Sequence, residues 1–111
     1  MSNIEMMRTR GEFLEAVKGL KVVTPGFILQ ARDSNDGESV VHQGFTCSKK
    51  IGNAVARNLA KRRLREVARA VLPDTAQAGW DYVLIGRSGQ TGTRDLMVMA
   101  DELKAAMAQI H

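Results

Sequence analysis

At 111 residues, with 44% hydrophobic and 25% charged side chains, the chain has the balance of one globular domain, 1–111, and not of a disordered segment. A chain this long buries roughly 65% of its unfolded surface without metal or disulfide staples, and the single Cys47 has no internal partner. No apolar run nears the ~20 residues that span a bilayer, and Met1 to Glu5 lacks a secretory signal's charged start, so a cytoplasmic location is expected. The net charge is +4, yet Lys49 to Arg69 holds eight cations against Glu66 alone, a local +7 that leaves −3 elsewhere. Such a concentrated strip points to a polyanionic partner.

In chain order, Thr9-Arg10-Gly11-Glu12 reads as a capping box, with Phe13 and Val17 at i, i+4 on the helix that follows. Gly19 is its stop, which predicts a first helix from Arg10 to Lys18. Pro25-Gly26 introduces a strand from Phe27 to Arg32, and the polar run Asp33 to Glu38 reads as a loop of hairpin type. Ser39 to Cys47 is the second strand, with Val41 and Phe45 among its packing residues. A long helix is predicted from Asn53 to Leu72, stopped by Pro73. Trp80 to Ile85, bounded by Gly79 and Gly86, is a buried strand. Gly86 to Gly92 reads as a flexible turn, since it lacks the Lys-Ser/Thr ending of a phosphate-cradling loop. Thr93 then caps a last helix with Leu96, Ala100, Leu103, Met107 and Ile110 on one stripe. The order α-β-β-α-β-α implies an α+β sandwich, helices on a small central sheet.

The long helix carries the chemistry. Asn53 caps it, and Gly52 frees the turn before it. Arg57, Lys61, Arg65 and Arg69 then form an i, i+4 ladder, and with Asn58 and Arg62 they span an arc of about 140°. Ala56, Ala60, Leu64, Val67 and Val71 occupy the opposite side, with Arg63 projecting from among them and Glu66 one turn after Arg62. Stacked like charges cost roughly 0.2–0.5 kcal/mol per exposed pair, so a merely solvated helix would intersperse Glu. Phosphate binding explains the ladder better, because each contact releases condensed counterions. A membrane surface, an acidic protein and DNA are weaker alternatives: the apolar side lacks an aromatic anchor, and the preceding element reads as a strand, not a first recognition-motif helix.

Candidates for other chemistry are few. His42 and His111 have no Cys or carboxylate at ligand spacing, and Cys47 has no sequence-local base. Six methionines read as core filling.

The run Ser48-Lys49-Lys50-Ile51-Gly52-Asn53-Ala54-Val55-Ala56-Arg57-Asn58-Leu59-Ala60-Lys61-Arg62-Arg63-Leu64-Arg65-Glu66 closely resembles the protein component of bacterial ribonuclease P, whose SKK-x-GNAV-x-RN and KR-xx-RE segments recur here at the same spacing. Phe13, Phe27-Ile28-Leu29 and Asp81 to Arg87 fall in matching elements, so the resemblance covers most of the chain. It implies an accessory subunit whose partner, a catalytic RNA using Mg2+, removes the 5′ leader of precursor tRNA. It also implies a left-handed β-α-β crossover, as in the second domain of ribosomal protein S5, where physics alone favours the right-handed form. By resemblance, Phe13, Val17 and Gln30 face a leader cleft, with Lys50, Arg57 and Asn58 near its mouth. Lys61, Arg62, Arg65 and Arg69 contact the catalytic RNA, and Lys49 and Asn53 complete the RNA-binding set. No catalytic side chain and no protein metal site is implied.

Three positions depart from the family pattern. Leu59 stands where the family has the second Arg of Arg-Asn-Arg, with Arg63 nearby as a partial substitute. Gln30 replaces an aromatic, exchanging stacking for hydrogen bonding, and Met6-Met7 replaces Arg-Leu. The function of a different class is a stand-alone RNA- or DNA-binding module. A protein-only nuclease is disfavoured for want of an acid, a base and metal ligands.

Overall fold

A computed structural model describes residues 4–7, 10–16, 18–34, 37 and 39–111, without the side chains of Glu12 and Phe13. The elements are β1 (Ile4–Met6), α1 (Arg10–Ala16), β2 (Leu20–Val23), β3 (Phe27–Asp33), β4 (Val41–Thr46), a 3-10 turn (Lys49–Ile51), α2 (Ala54–Thr75), β5 (Trp80–Gly86) and α3 (Leu96–Ile110). Two short strands, β1 and β2, thus join the six expected elements. Thr9 of the expected capping box and Val17 lie outside the described residues.

The five strands form one mixed sheet in the order β1-β4-β5-β3-β2. β4 is parallel to both β1 and β5, whereas β3 is antiparallel to β5 and β2. Asp33 to Glu38 is therefore not a hairpin loop, because β5 lies between β3 and β4. The hairpin is β2–β3, closed where Thr24 Oγ1 donates to Phe27 O at 2.7 Å and accepts from Phe27 N at 3.0 Å. β4, α2 and β5 make the β-α-β unit.

Alternation along the strands separates two faces. Phe27, Leu29, Ala31, Val41, Phe45, Tyr82 and Leu84 pack beneath α2 and α3 as the main core. Val83, with Ile85, meets Met7 and Ala16 on the α1 side. α2 contributes Ala60, Leu64, Val67, Ala68, Val71 and Leu72 to burial, so the expected apolar face is present with Ala68 and Leu72 added, while Ala56 is only half-buried. Each fully buried Leu there contributes on the order of 2 kcal/mol.

Three helix ends differ from the sequence expectation, the first being α1, which closes at Ala16 with Lys18 already in a turn. α2 runs through Pro73 to Thr75. The ring removes only the bond to the Arg69 carbonyl, and the last turn is held by Thr75 Oγ1 to Val71 O at 2.8 Å and Ala76 N to Leu72 O at 2.8 Å. At α3 the cap is Asp95 rather than Thr93, its Oδ1 accepting from Met97 N at 2.8 Å and Val98 N at 3.2 Å. The buried stripe shifts accordingly to Met99, Leu103, Ala106 and Met107, leaving Leu96 exposed.

Candidate nucleic-acid interface

The approach to α2 is built from local capping. Ser48 Oγ accepts from Lys50 N at 3.3 Å, and Gly52 takes φ 143°, a region costly for residues with a Cβ. Asn53 Oδ1 then accepts from Ala56 N at 2.9 Å and fixes the first turn. Lys49, Lys50, Asn53 and Asn58 are exposed around this end of the helix.

Along the helix, Arg62, Arg65 and Arg69 are exposed, while Arg57 and Lys61 are half-buried against the end of β4. Arg57 and Lys61 stand close enough to Cys47 to act on its thiol. Burial dominates there and pushes the thiol pKa up; the Gly86 backbone hydrogen bond and the two cations counter it only partly. Cys47 is thus a packing residue, not an activated nucleophile. The Arg65 guanidinium lies 5.9 Å from the centroid of the Phe45 ring, a cation–π contact that steadies it at the surface. Glu66 pairs with Arg69 at 3.3 Å rather than with Arg62. That exposed pair is worth little and leaves most of the strip's positive charge available.

Arg63 has a different task. Its Nε donates to Thr91 O at 2.9 Å and its Nη2 to Arg94 O, tying α2 to the segment between β5 and α3. It is therefore engaged and does not substitute for the arginine missing at Leu59. The segment itself is well held. Thr91 Oγ1 donates to Gly26 O at 2.6 Å and accepts from Arg87 N at 2.7 Å, and Arg94 grips Glu102 through two contacts of 3.1 Å. The expected flexible turn is a fastened one. Arg63, Arg87 and Arg94 were absent from the sequence-based site, and only the position of Arg63 inside an apolar sector hinted at a bound partner.

The sheet separates the expected sites into two groups. Gln30 lies on the α1 face, opposite Val83 in register, whereas the ladder rides on α2 beyond the other face. Gln30 Oε1 is buried with no hydrogen-bond partner among the described residues. Val17 and the Phe13 side chain, its expected companions in the cleft, lie outside the described residues. The same face carries a polar row that sequence reasoning missed: Glu5, His42, Asp81 and Arg32 stand opposite one another across four strands. His42 Nδ1 is 3.1 Å from Asp81 Oδ1, Arg32 Nε is 3.6 Å from Asp81 Oδ2, and Arg32 Nη1 reaches Glu15 Oε2 on α1 at 3.2 Å. Register alone brings these distant residues together.

A family model described as Ribonuclease P matches residues 1–111. The ribonuclease P protein component of Ruegeria pomeroyi is 49% identical over 99% of this chain and 89% of its own length. The chain belongs to the ribonuclease P protein family. The protein component from Caulobacter vibrioides is 45% identical over 96% of this chain and 70% of its own length. Among solved structures, the RNase P protein of Thermotoga maritima superposes with a TM-score of 0.78 at 25% identity, over 96% of this chain and 97% of that one. The RNase P protein of Staphylococcus aureus superposes with a TM-score of 0.73, over 95% and 93% of the two chains, and at 24% identity speaks for the fold alone.

Membership in the ribonuclease P family makes this chain an accessory protein subunit of that endoribonuclease, and a stand-alone binding module is not favoured. Among the described residues no helix is long and apolar enough to cross a membrane.

Proposed function

We propose that the α2 ladder binds the catalytic RNA of ribonuclease P while the α1 face of the sheet holds the 5′ leader of precursor tRNA. The observation that carries this reading is the exposed cationic face of α2, where Arg62, Arg65 and Arg69 meet solvent with Glu66 as their one acidic neighbour on the strip. Arginine suits the task because its planar fork engages two phosphate oxygens. Lys49, Lys50, Asn53, Arg57 and Asn58, at the start of α2, sit at the mouth between the two RNAs. Phe13 and Val17 supply apolar contact to the leader. Gln30 supplies an amide for a base edge in place of stacking, since single-stranded RNA is held as much by such contacts as by charge.

The hydrolytic step, attack of water on the phosphodiester between leader and tRNA, belongs to the RNA with its Mg2+. The described residues offer no cluster of three His, Cys, Asp or Glu side chains to hold the ion on the protein. The protein's part is to raise substrate affinity and to neutralise phosphate repulsion between two RNAs, work suited to the cytoplasm where both are made.

The test is reconstitution. Purified protein is mixed with a bacterial catalytic RNA and precursor tRNA at low magnesium, and leader release is followed. Stimulation over RNA alone is expected, and its absence refutes the proposal. Cleavage by the protein without RNA would refute the division of labour.

A further inference from the structure

On its β1 side, α2 overhangs a groove of about 250 Å³ lined by Ile4, Gln43, Arg65, Ala68, Arg69 and Pro73. It opens on the face of the sheet opposite to α1, so it is separate from the leader cleft. We propose that this groove takes one unpaired nucleobase of the catalytic RNA, with Arg65 and Arg69 on the phosphates beside it. The inference rests on the reading that α2 meets RNA, and deepens it from phosphate contact to base capture.

Size comes first. Drug-sized ligands occupy cavities of roughly 300–1,000 Å³, so a somewhat smaller space suits a single planar heterocycle. The composition of the walls follows the same division as a nucleotide. Ile4, Ala68 and Pro73 give an apolar floor for a ring face, while the two arginines stand at the rim. Arg65 is steadied by the Phe45 ring and offers a guanidinium on which a base can stack. Arg69 is 75% exposed and spends one Nη on Glu66, leaving other N–H groups of its fork for a phosphate.

Gln43 supplies the decisive polar contact. It lies on β4 between Val41 and Phe45, on the face that α2 covers, and is half-buried. The side-chain amide makes no hydrogen bond among the described residues, whereas its backbone carbonyl accepts from Met7 N at 2.9 Å. A half-buried amide with a free donor and a free acceptor matches the mixed donor–acceptor edge of a base. An acidic peptide would use the cations but brings no planar ring to lie on the apolar floor.

The experiment uses the whole protein bound to a bacterial ribonuclease P RNA. Dimethyl sulfate reads exposed Watson–Crick edges of A and C, a carbodiimide reads those of G and U, and hydroxyl radicals read the backbone. The wild type should protect a backbone tract and shield one unpaired base within it. Gln43→Trp, which fills the groove, and Gln43→Leu, which removes only the amide, should each restore reactivity at that base and weaken binding roughly tenfold. Both should keep the backbone protection and the salt dependence of the wild type.

Unchanged base reactivity in Gln43→Leu, with the backbone tract still protected, overturns the inference and leaves the α2 reading intact. The same result in folded Gln43→Trp does so independently. A wild type that protects no backbone overturns both. A labelled oligoglutamate peptide that binds wild type and is lost in Gln43→Trp would assign the groove to an acidic protein segment, again overturning the inference.

Discussion

Replacing Arg63 by Ala distinguishes a cation that builds the fold from the cations proposed to meet RNA. In the structure its guanidinium donates to the carbonyls of Thr91 and Arg94, and it is the side-chain tie between α2 and that segment. Hydrogen bonds to a charged group contribute roughly 1.5–3 kcal/mol each. The site is half-buried, so water can reach the freed carbonyls and recover part of that. The expected loss is therefore about 2–3 kcal/mol, not the full sum of two bonds. For a domain near this size that lowers the Tm by about 10 °C. Urea unfolding and thermal melts of the purified variant measure it, with Arg63→Lys, which keeps the charge but not the fork, recovering about half. RNA binding is read in parallel as affinity against salt concentration. Arg63→Ala should leave the slope as in wild type. A destabilisation below about 0.5 kcal/mol, or a slope reduced as by loss of a ladder arginine, would refute the reasoning.

Arg57→Ala and Arg65→Ala should each flatten the logarithmic salt dependence of RNA binding by about 0.9, one counterion per lost phosphate contact, with little change in melting. Asn53→Ala should cost about 1 kcal/mol in urea unfolding, because Oδ1 no longer accepts from Ala56 N. The Tyr82 hydroxyl accepts from Gln77 N at 2.9 Å and lies 2.7 Å from His111 Nε2, within hydrogen-bond reach of the imidazole. Burial holds the His111 pKa below 6.5 and, with Asp81 nearby, raises the Tyr82 pKa to about 12. A base with a depressed folded pKa favours the fold fully above 6.5, and that contribution is lost as pH falls through 6.5 toward the folded value. Melting temperature from pH 8 to 5 should thus fall less steeply in His111→Phe than in wild type; parallel curves would refute the contact.

Legibility in the sequence followed the range of the signal. The spacing of the ladder, the Asn53 cap and the buried side of α2 all depend on residues within four of one another, and they stand in the structure except that Ala56 is only half-buried. Phe45 and Val41 on β4 were legible from alternation. Three-residue β1 and four-residue β2 were not, because Ile4–Met6 is too short to alternate and β2 is largely exposed at the sheet edge. The hairpin reading of residues 33–38 failed for another reason. Turn chemistry reports a change of direction, and the strand that arrives beside β3 comes from residues 80–86. The partner of Arg63, the row through His42 and Asp81, and the groove beside Gln43 depend on that same long-range placement. No local pattern could have exposed them.

The central position of β5 also dictates an order of assembly. Before residues 80–86 leave the ribosome, the nascent chain can form only a β2–β3 ribbon and a separate β1–β4 pair, with no strand to join them. Leu64, Val67 and Val71 then have half a floor, and the cationic helix is displayed without support. Pairing of β5 with β4 and β3 closes both gaps in one step, across sequence separations that make the closure entropically costly. The supported cationic face of α2, proposed to bind RNA, is consequently a late product of synthesis, and a nascent chain halted before Trp80 carries the charge of the finished protein's strip without its shape.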